Sequence, residues 1–273
     1  MNKKFKILVV GELFQDFYSF FDALRLCPEG PVPVLRPVKE EFNHGGAGNV
    51  VCNIKSLSPE SEVHFIHQKS IITKTRYVDN ATGHLFLRVD TNDKVPDNER
   101  LTQQKIVDYL FIHKLSWADL DAVVISDYGK GFISEEVIQF LAQSHPLTFL
   151  DTKLILGEFS KDIKIVKVNK KEYDFNLTKI NNPEDFCGQL IVTRGMDATL
   201  LFNKNSVTNI PLPFVHLSAN TSGCGDSFSS CFILKYLETK DIREAIDYAN
   251  KGAGICASKP GVYTLRPEDF ANA

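Results

Sequence analysis

Residues 220–228 carry the clearest chemical pattern in this chain, Asn-Thr-Ser-Gly-Cys-Gly-Asp-Ser-Phe. Gly223 and Gly225 bracket a turn, and an apolar run at helical spacing follows at once. A helix that starts this way leaves backbone N–H groups unpaired, and its dipole favours an anion there, most often a phosphate. The carboxylate of Asp226 is then placed beside that anion, where it can take a proton from an attacking hydroxyl group.

The same stretch is also compatible with an ordinary helix start. Aspartate is common as a cap or in the first helical turn, where it needs no ligand. Short glycine-rich motifs also match by chance in many proteins. The local pattern of residues 220–228 therefore leaves both interpretations open.

A second glycine-rich helix start spans residues 44–50, His-Gly-Gly-Ala-Gly-Asn-Val. Close backbone approach and free N–H groups there suit a polyhydroxylated or phosphorylated ligand. Asn49 is suited to a hydrogen bond with a hydroxyl group of such a ligand. A tight, well-packed turn without a ligand is the alternative.

Buried strands that end in polar residues predict the fold class. Polar residues follow four apolar runs, at Asp127, Asp151, Asn169 and Thr193. Ligands of open α/β sheets bind beyond the carboxyl ends of the strands, so Asp127 is a candidate site residue, although a turn or cap role fits it equally well. We expect an α/β protein with a doubly wound, mostly parallel sheet and helices on both faces.

The segment from Glu12 to Phe42 departs from this alternation. Its prolines forbid a long helix, so we expect short strands and turns outside the main sheet. Strands are also predicted over Ile71–Val78 and Leu85–Asp90. The aromatic side chains of residues 14–21 fit a core, a lid over a ligand or a subunit interface, and the sequence leaves this choice open.

Other periodic segments predict further helices and a hairpin. A helix is expected over Arg100–Leu115, with one apolar face made by Leu101, Ile106, Val107, Leu110 and Phe111. Ser134 and Asp241 are expected to cap two later helices. A hairpin is expected around Lys204 and Asn205.

Composition excludes several classes of function. The chain has 273 residues and a net charge of −3, which gives no basic surface for nucleic acid. No stretch reaches transmembrane length, so we expect no membrane partner. Its six cysteines lack a Cys-x-x-Cys spacing and are expected to be reduced thiols in a cytoplasmic protein.

The two glycine-rich motifs together resemble the signatures of the ribokinase-like (PfkB) carbohydrate kinase family. Asn169-x-x-Glu172 is similar to the metal–phosphate motif of that family. Four further stretches resemble its heptose 7-phosphate kinase branch: 28–35 (Pro-Glu-Gly-Pro-Val-Pro-Val-Leu), 73–76 (Thr-Lys-Thr-Arg), 87–90 (Leu-Arg-Val-Asp) and 126–131 (Ser-Asp-Tyr-Gly-Lys-Gly). That branch phosphorylates the anomeric hydroxyl of a heptose that already carries a phosphate.

The resemblance runs from about Lys6 to Leu265. It implies a single ribokinase-like domain over 1–273, with a small β lid formed by segments of about 15–42 and 71–90. The nucleotidyltransferase domain that is often fused behind such kinases is not expected here. Lid-mediated dimers are common in the family, so a homodimer through the lid is a further hypothesis.

The resemblance also implies roles for individual residues, with ATP and Mg²⁺ as cofactors. Asp226 is the general base, and the backbone of Gly223, Cys224, Gly225 and Asp226 is the anion hole for the transferred phosphoryl group. The sugar or sugar phosphate is assigned to Asp16, Gly45, Gly46, Asn49, Lys74, Arg88 and Asp127. The nucleotide is assigned to Thr193, Gly195, Asn250 and Gly223, and the metal to Asn169 and Glu172.

Several features depart from the family pattern, among them Ala198 in place of a frequent glycine and Val168 in place of a frequent proline. Asn220 replaces an aspartate near the monovalent-cation site of many members, so dependence on potassium stays open. Glu12 replaces the aspartate after the first strand. The span between Leu57 and Ile71 is much shorter than in heptose kinases, so two alternatives remain: a kinase for another sugar, or a degenerate protein that binds sugar or nucleotide without turnover.

Overall fold

The computed structural model describes residues 4–203, 206–214 and 221–271. The strands are β1 (Lys6–Gly11), β2 (Leu13–Leu26), β3 (Pro33–Gly46), β4 (Glu62–Ile66), β5 (Ile72–Asp79), β6 (Leu85–Thr91), β7 (Ala122–Ser126), β8 (Thr148–Asp151), β9 (Ile165–Asn169), β10 (Leu190–Arg194), β11 (Asp197–Asn203) and β12 (Ser206–Ile210). The helices are α1 (Ala47–Leu57), α2 (Gln103–Ile112), α3 (Glu135–Ser144), α4 (Lys170–Leu177), α5 (Cys224–Thr239), α6 (Ile242–Ala257) and α7 (Pro267–Ala271).

The main sheet has eight strands in the order β12-β11-β10-β9-β8-β7-β1-β4. The strands from β10 to β4 run parallel, whereas β11 and β12 are antiparallel. The chain leaves β1 for β4 on one side and later returns to β7 on the other. The carboxyl ends of β1 and β7 therefore lie at a topological switch point, where open α/β sheets bind ligands.

Both faces of the main sheet are covered by helices, as the sequence predicts. Alternation along β1 sends Leu8 and Val10 into a cluster with α2 and α3, and Ile7 and Val9 into a cluster with α1, α5 and α6. Burial on both faces explains why the central strands are nearly continuous apolar runs. The predicted doubly wound, mostly parallel architecture is confirmed.

A small sheet of four strands lies outside the main sheet, in the order β3-β2-β5-β6. The prediction of short strands between Glu12 and Phe42 was wrong, because β2 and β3 are each 14 residues long. Pro37 is accommodated at a register shift on β3, an edge strand, where a missing N–H breaks no interior ladder. Phe14 and Ile72 of this sheet join the main core.

The helix predicted over Arg100–Leu115 is shorter, since α2 begins at Gln103 after the Thr102 cap. Its predicted apolar face was partly wrong: Ile106 and Leu110 are buried, whereas Phe111 is 82% exposed. Val107 is also exposed, at 45%. Only one narrow stripe of the helix reaches the sheet, so apolar residues beside that stripe face outward.

Other local predictions can be compared directly with the structure. Ser134 accepts a hydrogen bond from Val137 N at the start of α3, and Asp241 caps α6, as predicted. Strands β11 and β12 form the predicted hairpin, although Lys204 and Asn205 lie outside the described residues. Within the described ranges every helix is too short or too polar to cross a bilayer.

Candidate active site

The start of α5 is built as an anion site. Gly223, the N-cap, has a φ of 78°, in the left-handed region that favours glycine. A Cβ atom at this position would also lie 2.9 Å from Asn49 Nδ2. No side chain of the described residues caps the helix, and Cys224 N donates weakly to Thr221 O over 3.4 Å, so the positive end of the helix dipole faces the cleft that residues 223–226 line.

Asp226 lies in the first turn of α5 and is 4% exposed. Its Oδ2 accepts a hydrogen bond of 3.1 Å from Asn49 Nδ2, and its Oδ1 accepts one from the hydroxyl of Tyr128. Burial raises the pKa of Asp226 to about 6, and the bonds from Tyr128 and Asn49 act in the opposite direction. A carboxyl group with this pKa is ionised at neutral pH and readily accepts a proton.

A buried ion pair lies behind the glycine turn. Lys167 Nζ is 2.7 Å from Asp151 Oδ2, and both side chains are less than a tenth exposed. Burial acts to lower the pKa of Lys167, but the Asp151 carboxylate more than compensates and holds it above its ordinary value. A Cβ atom added at Gly225 would lie 3.1 Å from Lys167 Nζ, so this positive charge lies next to the anion turn.

The second glycine turn joins β3 to α1 and supports the first. The side chain of Asn49 links Asp226 to Asn53, whose Nδ2 donates to Asn49 Oδ1 over 2.9 Å. A Cβ atom at Gly45 would overlap the carboxylate of Asp16, so glycine is needed for this close approach. Of the residues that the resemblance assigns to the sugar here, Gly46 lines the cleft, whereas Gly45 and Asn49 do not, and Asn49 donates to Asp226 instead.

The cleft between the two sheets has a volume of about 820 Å³. Its wall carries eight basic side chains, Lys74, Arg76, Arg88, Lys153, Lys167, Lys170, Lys171 and Arg194. It carries four aspartates, Asp16, Asp151, Asp174 and Asp226. The formal excess of four positive charges suits a ligand rich in phosphate.

The small sheet supplies the cations on one side of this cleft. Arg76 is ion-paired with buried Asp16, which restrains both side chains. Lys74 Nζ lies 3.9 Å from the centre of the Phe14 ring, and burial lowers its pKa. Arg88 is half exposed at the rim and pairs with Asp90. Lys74, Arg88 and Asp16 therefore all line the cleft, as the sequence predicts.

A narrower, mainly apolar pocket of about 170 Å³ opens beside the cleft. Thr193 and Gly195 line both spaces, and Asn250 lies in the pocket wall. The Oδ1 atom of Asn250 accepts from Thr199 Oγ1 over 2.8 Å. Its Nδ2 atom is buried and has no partner among the described residues, which leaves a donor for a ligand.

Asn169 and Glu172 are close together, but they bond to each other. Asn169 caps α4 through the Glu172 N–H, and Glu172 Oε2 accepts from Asn169 N over 2.7 Å. The other oxygen of Glu172 pairs with Lys153. Asn169 lines the cleft, whereas Glu172 is not part of its wall.

These donors fit a magnesium ion only if phosphates and water complete its coordination. Within the described ranges no group of three or more His, Cys, Asp or Glu side chains could hold a metal by itself. Magnesium commonly keeps several waters and takes few protein ligands beside substrate phosphates. The oxygens of Asn169 and Asp151 in the cleft wall match that donor set, with Glu172 orienting Asn169.

Two sequence expectations fall elsewhere. Asp127 is 2% exposed and accepts from Gly129 N and Thr152 Oγ1, so it shapes a loop and does not line the cleft. Asn220 lies outside the described residues.

Several cleft residues were missed as individual site residues. Tyr128 and Arg76 lie within quoted motifs, but nothing in their type marked them out. Lys153 follows a buried strand and is exposed, whereas Lys167 lies within a buried strand, where a lysine is itself a signal, because lysine is seldom buried without a partner. That signal was available in the run Ile165–Asn169.

Comparison with solved structures places the fold. Ribokinase from Thermotoga maritima superposes with a TM-score of 0.72 at 16% identity, over 98% of each chain. This similarity identifies the fold as ribokinase-like. The chain belongs to the pfkB family of carbohydrate kinases, whose sequence profile matches residues 59–269.

Curated relatives agree with the resemblance to the heptose 7-phosphate kinase branch. The bifunctional protein HldE of Helicobacter pylori strain HPAG1 is 28% identical over 97% of this chain. The bifunctional protein HldE of a Nitratiruptor species is 29% identical over the same share. The chain spans 65% and 64% of the length of these two relatives.

Proposed function

We propose that this carbohydrate kinase transfers the γ-phosphoryl group of ATP to the anomeric hydroxyl of a heptose 7-phosphate. The observation that carries the proposal is the placement of Asp226, a buried carboxylate at the uncapped start of α5 in a cationic cleft. General-base and anion-binding groups meet there in one turn of helix. Phosphoryl transfer needs this combination of positioning and charge stabilisation more than it needs covalent catalysis.

The proposed step balances within the site. The sugar oxygen forms a bond to the γ-phosphorus, its proton passes to the Asp226 carboxylate, and the bond from phosphorus to the β,γ-bridging oxygen breaks to release ADP. The N–H groups of residues 223–226 and the ammonium of Lys167 stabilise charge on the transferred group. Magnesium, bound with ATP near Asn169, would neutralise phosphate charge.

The nucleotide base is assigned to the narrow apolar pocket. Its walls suit a flat aromatic ring, and the unpaired Nδ2 donor of Asn250 suits a ring nitrogen acceptor. Thr193 and Gly195 lie where this pocket joins the cleft, on the path from base to phosphates. The expected roles of these three residues thus gain support from one continuous space.

The phosphate already on the acceptor is assigned to the cations of the small sheet. Lys74 and Arg88 lie in the cleft wall on strands β5 and β6. A sugar phosphate would bring a direct counterion to the partly desolvated Lys74 and a second anionic partner to Arg88, which already pairs with Asp90, whereas a neutral sugar would bring neither. The HldE relatives support a heptose over other phosphorylated sugars.

ADP release tests this function. Heptose 7-phosphates, unphosphorylated heptose, fructose 6-phosphate and ribose would each be supplied with Mg·ATP, and phosphorus NMR would locate the new phosphate. Turnover is expected with a heptose 7-phosphate, with coupling of the new phosphate to the anomeric proton. Turnover only with another sugar would show that the proposed substrate, a heptose 7-phosphate, is wrong. ATP binding without any turnover would favour a degenerate binding protein.

The small sheet is also proposed to close over the cleft and to form a homodimer. Closure would exclude water, which otherwise competes as phosphoryl acceptor. Its edge strand β6 is exposed along its whole length and presents Leu85, Phe86, Leu87 and Val89. Light scattering at micromolar concentration should give twice the mass of one chain, and a monomeric mass would contradict the dimer.

A further inference from the structure

Glu12, at the switch point of the main sheet, is fully buried and does not line the cleft. Its Oε2 accepts from the backbone N–H of Tyr128 over 2.8 Å. Its Oε1 accepts from the N–H groups of Lys130 and Phe132, over 3.1 and 3.4 Å. One carboxylate therefore fixes the loop that follows β7 and carries Tyr128.

The ring of Tyr128 is fixed from the other side. It packs edge-to-face against Phe14, with ring centres 4.9 Å apart. The ammonium groups of Lys74 and Lys153 lie 5.6 and 5.4 Å from its centre. Burial, and next the charge of Asp226, raise the pKa of Tyr128 far above its ordinary value, so the hydroxyl keeps its proton. It can therefore only donate to Asp226 at working pH.

We propose that Tyr128 is a positioning residue for the general base: its hydroxyl, held in place by Glu12 through the loop after β7, orients the Asp226 carboxylate and keeps it ionised. The inference rests on the proposed function of Asp226. Tyr128 and Asn49 each donate to one carboxylate oxygen, and each oxygen retains a lone pair for the acceptor hydroxyl. Tyr128 itself neither gains nor loses a proton in the reaction.

The length of Glu12 explains why this position departs from the family pattern. An aspartate is one methylene shorter than Glu12, and the same carboxylate would sit further from the N–H groups of Tyr128, Lys130 and Phe132. In this chain the first-strand carboxylate faces the loop, away from the cleft. Its contribution to catalysis is thus indirect and passes through Tyr128.

The sign of the effect follows from hydrogen bonding to the charged form. A hydroxyl that donates to a carboxylate stabilises the anion and lowers its pKa, so removal of the hydroxyl raises the pKa of Asp226 above about 6. The other ionisable groups that act on Asp226 stay in place. They are Asp151, Lys167, Cys224 and Cys256.

The pH dependence of kcat/KM tests the role of Tyr128. In Tyr128→Phe the acid limb should move up by about one pH unit, with a loss in kcat/KM of roughly twofold at pH 7 and roughly tenfold at pH 5. Tyr109→Phe is the matched control, because it also removes a hydrogen-bonded hydroxyl, in this case an acceptor from Phe65 N, but Tyr109 lies on α2. The control should keep the wild-type profile. A lower kcat in Tyr128→Phe with an unmoved acid limb would reduce Tyr128 to a structural residue and overturn the proposal.

Glu12→Asp tests the route through the loop. The variant should move the acid limb in the same direction as Tyr128→Phe, though less far, because the loop is loosened. In the double variant it should add no further shift, since Glu12 acts on the base only through Tyr128. An additional shift in the double variant would overturn this route.

A direct titration separates this inference from the proposed function. Carbon NMR of protein labelled at the aspartate carboxyl carbon needs no substrate, and the signal lost in Asp226→Asn identifies Asp226. Its midpoint should be higher in Tyr128→Phe than in wild type. That result would stand even if no sugar were turned over, whereas equal midpoints would overturn the inference even in an active kinase.

Discussion

At the scale of single residues, two opposing effects act on the charge of Asp226. Burial disfavours the ionised carboxylate, and the hydrogen bonds from Tyr128 and Asn49 partly stabilise it. The balance leaves the carboxyl group with a pKa of about 6. A base of this strength is ionised at neutral pH and still accepts a proton from a hydroxyl that is losing it to phosphorus. The acid limb of activity should therefore be set mainly by this residue, although Glu12, whose pKa burial raises to about 7, titrates in the same range and acts through Tyr128.

The wild-type kinase should lose kcat/KM below a pH of about 6, with a slope of one. Because the folded pKa is raised, Asp226 becomes protonated at a higher pH than an exposed aspartate, and the protonated form cannot act as base. Rate measurements from pH 5 to 8 check this, with unfolding followed in parallel. Activity that stays constant down to pH 4.5 in the folded protein would contradict the assignment.

Asn250→Ala should weaken ATP binding by roughly tenfold, because it removes from the narrow pocket a buried donor that has no partner among the described residues. The affinity for the sugar should not change. Calorimetry with a non-hydrolysable ATP analogue measures the affinity for the nucleotide, and Asn98→Ala, at an exposed position outside both the pocket and the cleft, is the matched control. An unchanged nucleotide affinity would remove Asn250 from the site.

The sequence drew attention to Asp226 and Asn49 beside the two glycine turns, but it predicted that Asn49 bonds a ligand hydroxyl, whereas in the structure Asn49 donates to Asp226. It missed Tyr128 as an individual site residue because a tyrosine after a buried strand has no distinctive spacing. Asp127 illustrates the opposite error. A polar residue at the end of a strand was predicted to bind a ligand, yet Asp127 accepts hydrogen bonds from Gly129 N and Thr152 Oγ1 instead. Side-chain direction, which decides between these roles, depends on loop geometry that the sequence does not display.

At the scale of elements, the start of α5 depends on a backbone conformation that only glycine adopts readily. Gly223→Ala should destabilise the fold by about 1–3 kcal/mol, because the φ of 78° becomes strained and the new methyl group crowds Asn49. Activity should fall as the anion turn shifts. Thermal unfolding and ADP release measure the two effects.

Gly83→Ala is the matched control for that variant. Gly83 has a φ of 71°, and an added Cβ atom would meet no atom within 4 Å. We expect a loss of about 1–2 kcal/mol from the backbone alone, with turnover unchanged. Equal losses of activity in both variants would show that the backbone conformation at Gly223 has no specific role in turnover.

Periodicity revealed the main sheet more fully than the small one. The central parallel strands are apolar on both faces, so their sequences are easily recognised as buried strands. Strand β3 is mostly exposed and contains two prolines, a residue type that is common in turns, so its sequence does not predict a long strand. Helix α2 shows that periodicity also overestimates burial. An apolar side chain such as Phe111 can lie on the solvent-exposed face of a helix.

At the scale of the whole molecule, charge is distributed unevenly. The chain carries a net charge of −3, yet its cleft wall has an excess of four positive charges. The molecule therefore repels anions weakly overall and attracts them at one place. The fold produces this contrast by bringing cations from both sheets to the same opening.

The KM for a phosphorylated acceptor should therefore rise roughly threefold or more between 0.05 and 0.5 M salt, because ions screen the cleft. Arg88→Gln should raise this KM at low salt and flatten its salt dependence. Arg100→Gln, at an exposed surface pair with Asp97, is the control and should change neither. A KM that is independent of salt would contradict a phosphate-bearing acceptor.

The central claim is that Asp226 is the base of a sugar kinase, and turnover by Asp226→Asn tests it most directly. With the best acceptor, kcat should fall by about 10²–10⁴-fold while ATP affinity stays near wild type. Asp97→Asn makes the same chemical change at an exposed site and should retain full activity. A kcat in Asp226→Asn within a few-fold of wild type would contradict the account.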